Sequence, residues 1–368
     1  MIRRIAVFLP NWVGDATMAT PALRSLRSHF GATTEIVGIL RPLVAEVLDG
    51  SPWLDRAWHY DRSGGDPGAG RAALLARLRG TPVDLSIHFT NDFASALVAR
   101  LGGVRRRAGY VRNRRGFLLT DRLHAPRRGR EWLPVSAVDY YLDLVRAVGC
   151  GEVATHLELA TTPRDEAAAD RAWADLGLAA GERPVVLNSS GTFGGAKLWP
   201  ERSCAALAGR VARELGETVV VLCGPAESER ARRIAAAAAH PRVSSLAGRA
   251  LSIGLSKSVV RRARCLVSTD SGPRHLGAAF GVPVVALFGP TDPAWTDTRH
   301  PGEVRLAHLP PCAPCGRREC PVGHHACMED LAVDDVFREV ERVVVGGRAI
   351  EAAATGGGRT GGRPGGAS

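Results

Sequence analysis

Short apolar runs alternate with longer amphipathic stretches along most of the chain, and this alternation predicts an α/β fold. Runs of Ile, Val, Leu and Phe indicate buried strands, whereas apolar residues at helical spacing indicate helices packed on them. In the first half, the pattern predicts strands at Ile2–Leu9, Glu35–Leu40, Arg56–Tyr60, Val83–His88, Arg107–Tyr110 and near His156–Leu159. Helices are predicted at Thr17–His29, Leu43–Asp49, Gly70–Arg79, Ala94–Leu101 and Ser136–Val148.

A second series of strands and helices begins at Pro184, after a predicted helix at Pro163–Leu176. Its strands are predicted at Pro184–Asn188, Thr218–Leu222, Val243–Leu246, Cys265–Ser268 and Val284–Phe288. Its helices are predicted at Trp199–Leu215, Glu227–Ala239, Ser252–Ala263 and His275–Phe280. Repeated alternation of this kind produces parallel sheets covered on both faces. We therefore predict two Rossmann-like domains facing across a cleft, at 1–160 and 184–345, with a connection at 161–183 and a disordered tail at 346–368.

A polar turn follows the strand Cys265–Ser268 and leads directly into a helix. Its residues Asp270, Ser271 and Gly272 supply a carboxylate, a hydroxyl and a flexible backbone position. In open α/β sheets, ligands bind at the carboxyl ends of strands, and helix N-termini favour anions. The turn is therefore a candidate phosphate and sugar site. The alternative is that Asp270 and Ser271 only cap the helix.

The N-terminus carries a second turn of the same design, at Asn11-Trp12-Val13-Gly14-Asp15. Gly14 lets another molecule approach the backbone closely. Asp15 is placed where a carboxylate points into the crevice above the strand. An ordinary N-cap role for Asp15 is the alternative, and Pro21 in the first turns of the helix agrees with it.

The loop that opens the second domain has the composition of an anion site. After Asn188 it holds Ser189, Ser190, Gly191 and, further on, Lys197. Hydroxyl donors, free backbone N–H groups and a fixed cation suit a pyrophosphate, although the loop matches neither the P-loop nor the GxGxxG fingerprint. A mobile surface loop with a solvated lysine is the alternative.

An acidic residue follows the next predicted strand, in Gly224-Pro225-Ala226-Glu227. Glu227 is a candidate to accept hydrogen bonds from ribose hydroxyls, as acidic residues do at strand ends in nucleotide-binding folds. Glu229 is close enough in sequence to take that role instead, and a capping role for Glu227 is the other alternative.

The net charge of +11 favours anionic partners and is concentrated between Arg105 and Arg130. Nucleic-acid binders interleave many aromatic residues with such charge, whereas the only aromatics in or directly after this segment are Tyr110, Phe117 and Trp132. We predict a basic rim for a phosphorylated or lipid-linked substrate and no nucleic-acid partner, with a solvated arginine-rich surface as the alternative. No apolar run approaches the ~18–20 residues of a membrane span, and the start lacks a signal-peptide core, so a cytoplasmic protein is expected.

Four of the eight cysteines lie close together in the sequence, with His324 and His325 among them. Their spacing suits a structural zinc ion or iron–sulfur cluster, although it departs from the common paired CxxC arrangement. Disulfides are not expected in the cytoplasm. The low-ranked metal candidates are Cys312, Cys315, Cys320 and Cys327. The remaining cysteines lie in apolar runs and are predicted to be core residues.

Taken together, these motifs resemble glycosyltransferase family nine, the ADP-heptose:lipopolysaccharide heptosyltransferases, and most of all its heptosyltransferase II branch. The resemblance covers residues 1–345 and follows the family's motif order. It rests on Asn11–Asp15, Gly194–Pro200, Ser268–His275, Phe288–Pro293 and Cys320–Met328.

The resemblance implies a GT-B architecture and an inverting transfer of heptose from ADP-heptose to the lipid A-linked inner core of lipopolysaccharide. By the resemblance, Asp15 is the general base and Lys197 contacts the pyrophosphate. The turn Asp270–Gly272 lies near the sugar and phosphates, Glu227 is the ribose-binding acid, and His275 supports the helix start. Pro273 has no N–H and, with Arg274, replaces a pair that is often small or apolar in the family.

The acceptor is expected in the N-terminal domain, near Gly14 and the basic residues Arg106, Arg107 and Arg114, with peripheral contact at the inner membrane. No Asp-x-Asp motif stands at a strand end, so no catalytic cofactor is expected. Two alternatives stay open: a family-nine transferase with another ADP-sugar or acceptor, and a non-catalytic protein binding metal and nucleic acid. Asp15, Lys197 and Asp270 together argue against the second, since a binding module needs none of them.

Overall fold

Two six-stranded parallel sheets follow one another along the chain and share one strand order. A computed structural model describes residues 2–61, 66–151, 154–188, 191 and 193–356, with side chains up to 347. The orders are β3-β2-β1-β4-β5-β6 and β11-β10-β9-β12-β13-β14, which is the doubly wound arrangement. The predicted pair of parallel α/β sheets is thus confirmed.

The first sheet is built on the strongly apolar strand β1, which lies near its centre and is buried over Ile5–Phe8. Its strands are β1 (Arg4–Phe8), β2 (Glu35–Leu40), β3 (Arg56–His59), β4 (Leu85–His88), β5 (Arg106–Tyr110) and β6 (Asp121–Leu123). Its helices are α1 (Val13–Met18), α2 (Thr20–Phe30), α3 (Pro42–Leu48), α4 (Arg71–Gly80), α5 (Phe93–Leu101) and α6 (Ala137–Ala147). A separate antiparallel hairpin pairs β7 (Arg127–Arg128) with β8 (Glu131–Trp132).

The second sheet has fully buried central strands, as Val-rich runs covered on both faces require. Its strands are β9 (Val185–Asn188), β10 (Val219–Leu222), β11 (Val243–Ser245), β12 (Cys265–Thr269), β13 (Val284–Phe288) and β14 (Glu303–Ala307). Its helices are α7 (Pro163–Leu176), α8 (Glu201–Glu214), α9 (Ser228–Ala237), α10 (Ile253–Arg261), α11 (Gly272–Ala279), α12 (Ala326–Glu329) and α13 (Val333–Gly356). Over the described residues, no helix has the length and apolarity to cross a membrane.

Several predicted elements differ from the structure for identifiable reasons. The predicted helix Thr17–His29 is two helices, because Pro21 lacks an N–H and starts a new helix in its first turn. The predicted strand at His156–Leu159 is wrong: the segment pairs with no strand, and Arg24 binds the carbonyls of Ala154 and His156. Strands β6 and β14 were not predicted, because both are edge strands whose partly exposed residues form no apolar run.

The ends of the second domain also differ from the predicted boundaries. Within the predicted connection, helix α7 is fixed by a capping box between Thr162 and Asp165 and packs against α10, on the second sheet. Helix α13 continues past residue 346, where the disordered tail was predicted to begin. The reason is composition, because the run Glu351–Ala354 is dominated by alanine, the strongest helix former. Residues 357–368 of that predicted tail lie outside the described residues.

Each sheet has a topological switch point, the place at which its strand order reverses, and the two switch points lie opposite each other. In each sheet the order reverses beside the first strand, between β1 and β4 and between β9 and β12. Crevices above such points are the usual ligand positions in doubly wound folds. Helices α1 and α11, which follow β1 and β12, are in contact, so the two domains meet at this place.

Candidate active site

A cavity of about 610 Å³ opens between the two domains, above both switch points. It brings together three groups of polar residues that are far apart in the sequence. They are the turn after β1, the loop Gly194–Pro200 before α8 (the lysine loop, which carries Lys197), and the turn after β12. Its lining residues include Gly14, Asp15, Lys197, Asp270, Ser271, Gly272 and His275. The structure therefore gathers the central predicted site residues around one space.

The carboxylate of Asp270 is the most heavily bonded group in the cavity wall. One oxygen, Oδ2, accepts from Lys197 Nζ at 2.7 Å and Thr291 Oγ1 at 2.8 Å. The other, Oδ1, accepts from Arg274 Nη1 and Thr296 Oγ1, both at 3.1 Å. The capping alternative for Asp270 is therefore wrong. The N-cap of α11 is Ser271, and its side chain makes no capping bond.

Asp270 is held as an anion. Burial alone disfavours the charged form, but the positive charges of Lys197 and Arg274 outweigh it and keep the pKa of Asp270 well below its usual value. Arg274 is fully buried and makes a two-pronged ion pair with Glu303 on β14, at 3.0 and 2.7 Å. Arg274 thus anchors the turn after β12 to the sheet edge.

Pro273 does not disturb the turn after β12. It lies in the first turn of α11, where the backbone N–H has no acceptor inside the helix. Arg274 N donates to the Ser271 carbonyl at 3.1 Å, so the start of the helix is closed. The missing N–H leaves the turn with one backbone donor fewer for an anion.

Lys197 is buried and directed into the cavity, so the solvated-lysine alternative is wrong. Its Nζ donates to the carbonyl oxygen of Asp270 at 2.8 Å, in addition to the carboxylate bond, and lies 4.5 Å from the ring centroid of Phe193. An ammonium group has three donors and these two bonds use two of them, so among the described residues one donor is left for a ligand in the cavity.

The lysine loop is supported from behind by the cysteine-rich segment, residues 312–327. Ala196 N donates to the Arg318 carbonyl at 2.9 Å, and His325 Nε2 contacts the Ala196 carbonyl at 2.7 Å. Gly194 adopts φ 149°, and a Cβ there would lie 2.4 Å from the Arg318 carbonyl oxygen. The glycine and the segment together fix where Lys197 can reach.

Asp15 faces the lysine and the second carboxylate from the opposite domain. It is the third residue of α1, whose N-cap is Trp12, so the N-cap alternative for Asp15 is wrong. Burial in the cleft and the negative charge of Asp270 raise the pKa of Asp15 to about 6, while Lys197 opposes the shift. Among the described residues, no group donates a hydrogen bond to the Asp15 carboxylate or forms an ion pair with it. A carboxylate with a pKa near neutrality and a free lone pair is suited to proton abstraction.

Gly14 and His275 approach each other closely where the two domains meet. A Cβ on Gly14 would lie 2.5 Å from His275 Cδ2, so only glycine fits here. The neighbour that approaches the Gly14 backbone is therefore the His275 ring. Burial and the charge of Arg274 lower the pKa of His275 to about 3, so the ring is neutral. Its Nδ1 is buried without a hydrogen-bond partner within the described part of the chain.

The predicted hydroxyl loop is described only in part. Ser189 and Ser190 lie outside the described residues. Gly191 faces the turn after β12, since a Cβ on it would lie 3.3 Å from Ser271 Cβ. Ser271 Oγ accepts from Asn188 Nδ2 at 2.9 Å, which joins the ends of β9 and β12.

Glu227 is close to this edge of the sheet but does not line the cavity. It follows β10 and lies beside Gly224, where an added Cβ would meet its Oε2 at 2.6 Å. Glu227 is the N-cap residue of α9, but its side chain makes no capping bond. Its ribose-binding role stays a prediction.

The structure does not bring Arg106 and Arg107 to the cavity. Both lie at the amino end of β5, opposite the switch point. Arg106 pairs with Asp121 at 2.8 Å, and Arg107 Nε donates to the Leu118 carbonyl at 2.6 Å. This placement does not favour an acceptor role for either residue. Arg114, which is exposed in the loop after β5, remains at the carboxyl edge.

The predicted metal cluster has no supporting geometry. Within the described ranges, no group of three or more His, Cys, Asp or Glu side chains is arranged to hold a metal ion. The thiols differ in environment: Cys312 is exposed and Cys327 is buried. The Sγ of Cys320 accepts from His325 N at 3.3 Å, and backbone donors of this kind lower the pKa of Cys320.

Sequence reasoning missed several residues of the site, all on the second domain. Thr291 and Thr296 bond Asp270, and Glu303 balances the buried Arg274. Threonines in a loop and a glutamate on an edge strand carry no local signal. The motif Gly289-Pro290-Thr291 that ends β13 is the one feature from which Thr291 was recognisable.

The comparisons with known proteins agree with this geometry. The family model of glycosyltransferase family 9 (heptosyltransferase) matches residues 71–326. Lipooligosaccharide heptosyltransferase 2 of Campylobacter jejuni is 24% identical over 349 residues, which is 92% of this chain and 99% of the relative. Lipopolysaccharide heptosyltransferase 2 of Escherichia coli is 27% identical over 311 residues, covering 80% and 84% of the two chains.

Solved structures confirm the predicted GT-B architecture. The E. coli ADP-heptose LPS heptosyltransferase II superposes with a TM-score of 0.75 over 94% of this chain and 99% of that one, at 22% identity. Because the family model spans more than half of the sequence, the chain belongs to glycosyltransferase family 9, the heptosyltransferase family, and is a glycosyltransferase.

Proposed function

We propose that this glycosyltransferase moves heptose from ADP-heptose to the inner core of lipopolysaccharide, with inversion at the anomeric carbon. The observation that carries the proposal is the position of Asp15, which faces the Lys197–Asp270 pair across one cavity. The pKa of Asp15 is raised to about 6, and its carboxylate has no partner among the described residues. The relatives that cover nearly the whole chain are named heptosyltransferases. One base and one cationic anion site suffice for a single displacement.

In the proposed reaction, Asp15 takes the proton of an acceptor hydroxyl as its oxygen attacks the anomeric carbon. The bond from that carbon to the diphosphate oxygen breaks, and ADP leaves with the electron pair. The free donor of Lys197 stabilises the departing diphosphate, while Asp270, whose acceptor positions are taken by Lys197, Arg274 and the two threonines, holds the lysine in place. No step uses a metal or cofactor.

The experiment is a transfer assay with ADP-heptose and lipopolysaccharide cores that lack heptose or carry one heptose. We expect a product heavier by one heptose, release of ADP, and inverted anomeric configuration by NMR. Asp15→Asn is the matched control, because it keeps shape but removes the base, and should lower turnover ~10²–10⁴-fold. Transfer from another ADP-sugar only would identify a different donor. No transfer, with RNA stabilising the fold more than ADP, would reject the enzyme proposal.

We propose that the N-terminal domain contacts the cytoplasmic face of an anionic membrane. Helix α5 exposes Phe93 (40%) and Leu101 (50%) on one side, with Phe117 (62%) packed beside Phe93 at 6.0 Å between ring centroids. Exposed Arg100 and Arg114 lie on the same helix and in the loop after β5. Aromatic rings with arginines suit an anionic lipid surface, where each basic residue contributes ~1 kcal/mol.

Vesicle flotation tests the membrane contact. The double change Phe93→Ser and Phe117→Ser, or Arg114→Glu, should reduce binding to anionic vesicles and raise the KM of a lipid-linked acceptor. Leu309→Ser removes an equally exposed apolar side chain (60%) from the other domain and serves as the control. Unchanged binding in all variants would make the arginine-rich segment a solvated surface. Arg106 and Arg107 are unsuitable for this test because their changes would break intramolecular bonds.

A further inference from the structure

Two tryptophans line the active-site cavity from opposite domains, and the proposed reaction assigns neither a role. Trp12 is 48% exposed and Trp295 is 40% exposed, although both belong to the cavity wall. Indole is the largest apolar side chain and is usually mostly buried. Two open indoles around one polar cavity indicate a ligand with apolar faces.

Each tryptophan lies on a backbone segment that also positions Asp15 or a partner of Asp270. Trp12 is the N-cap of α1, three residues before Asp15, and its carbonyl accepts from Ala16 N at 2.9 Å. Trp295 lies in the turn Pro293–Thr296, whose last residue bonds Asp270 Oδ1 at 3.1 Å. The turn is fixed at its start by Asp292, which accepts from Ala294 N. Both indoles are therefore held on ordered backbone.

The chemistry of this pairing fits a sugar ring. A pyranose presents C–H groups on its faces and hydroxyls at its rim. An indole face covers the C–H groups by dispersion and by the attraction of its negative quadrupole, while a neighbouring carboxylate accepts from the hydroxyls. An isolated carboxylate offers no such face, and Trp12 and Trp295 provide one beside each acid.

We infer that Trp12 and Trp295 are the two aromatic walls of a sugar-binding slot: Trp12 stacks on the acceptor sugar and Trp295 on the transferred sugar. The assignment follows the domains, since Trp12 lies in the domain that carries Asp15 and is expected to hold the acceptor, whereas Trp295 lies in the domain expected to hold the nucleotide sugar. It rests on the proposed function and adds to it the residues that select sugar rings.

The test compares variants that keep an aromatic ring with variants that replace it by an aliphatic side chain. For Trp295→Leu we expect calorimetry to show affinity for ADP-heptose falling about three- to ten-fold, with affinity for ADP alone unchanged. Trp295→Phe should lose less, because it keeps an aromatic face. For Trp12→Leu we expect a similar rise in acceptor KM with donor affinity unchanged, and Trp12→Phe should again be milder. Trp132→Leu is the control: that indole is partly exposed but stacks on Arg112 outside the cavity.

Failure of the tryptophan roles and failure of the proposed transferase function give different results. Equal loss of ADP and ADP-heptose affinity in Trp295→Leu would assign that indole to the adenine and overturn its sugar role. Leu variants with wild-type constants would overturn stacking altogether. Unchanged ADP binding in Trp12→Leu shows that the variant is folded. Failure of the proposed function appears instead in the wild-type protein, as absent transfer and no preference for ADP-heptose over ADP.

Discussion

At the scale of single residues, Asp15 derives its expected reactivity from its surroundings. A carboxylate ionises near pH 4 in water, and burial beside Asp270 moves the pKa of Asp15 to about 6. A base must be deprotonated to work, so activity should be full above this value and fall as pH drops through it. We expect kcat/KM to decrease about tenfold per pH unit below 6.

The pH profile needs a control that removes the negative neighbour. Asp270→Asn should move the acid limb to lower pH, because one cause of the raised pKa of Asp15 is gone, although overall activity will also fall. An acid limb that stays in place in this variant would assign it to another group.

Lys197 is expected to act on the leaving group in addition to holding Asp270. Lys197→Met keeps the length of the side chain but removes the charge that faces the cavity. Transfer should be slowed by ~2–4 kcal/mol, as for other electrostatic stabilisers, with weaker ADP binding. The change also removes both bonds from Nζ to Asp270, so the melting temperature should fall as well, at a cost of ~1–3 kcal/mol. Unchanged rate and ADP affinity would contradict the prediction.

At the scale of elements, the contact between α1 and α11 depends on the absence of one side chain. Gly14→Ala would place a methyl group 2.5 Å from a rigid imidazole carbon, so the two helices must separate. Overpacking of this kind costs ~1–3 kcal/mol. We expect turnover to fall while ADP binding, which uses the second domain, persists.

Gly80→Ala is the matched control, because nothing lies within 4 Å of a Cβ added there. Small-angle scattering should show a wider cleft for Gly14→Ala only. Equal turnover in the two alanine variants would mean that this close approach has no role in the reaction.

At the scale of the whole molecule, Lys257 joins the two domains through a contact between α10 and the end of α3. It is fully buried on α10, donates to the Asp49 carbonyl at the end of α3 at 2.9 Å, and lies 3.4 Å from Asp165. Lys257→Met keeps the apolar stem and leaves the Asp49 carbonyl unpaired, at a cost of ~1–3 kcal/mol.

We expect Lys257→Met to loosen the domain arrangement without unfolding either sheet. Calorimetry should then show a broader or split thermal transition, and turnover should fall more than ADP affinity. Ser256→Ala is the control, because Ser256 precedes Lys257 on the same helix and its side chain makes only a solvent-exposed hydrogen bond to the Ser252 carbonyl. A single sharp transition at the wild-type temperature would show that other contacts hold the domains.

Much of this protein was determined by local sequence. Val- and Ile-rich runs between amphipathic stretches specify parallel sheets because strands buried on both faces must be apolar throughout. The polar turns after β1 and β12 were recognisable because a strand, a short turn with glycine and acid, and a helix form a self-contained unit. For the same reason Asp15 and Asp270 were predicted as site residues from the sequence, and Lys197 was predicted from the composition of its loop.

Only the tertiary structure decided what distant residues do to one another. Glu303 lies on an edge strand without an apolar pattern, yet it neutralises Arg274 and so orients Asp270. Arg106 and Arg107 belong to a conspicuous charge cluster, but strand direction places them away from the cavity. The pKa of Asp15 is likewise set by burial and by a charge 255 positions later in the numbering, at Asp270. Sequence patterns encode local periodicity, whereas burial, strand polarity and charge pairing exist only after the chain has folded.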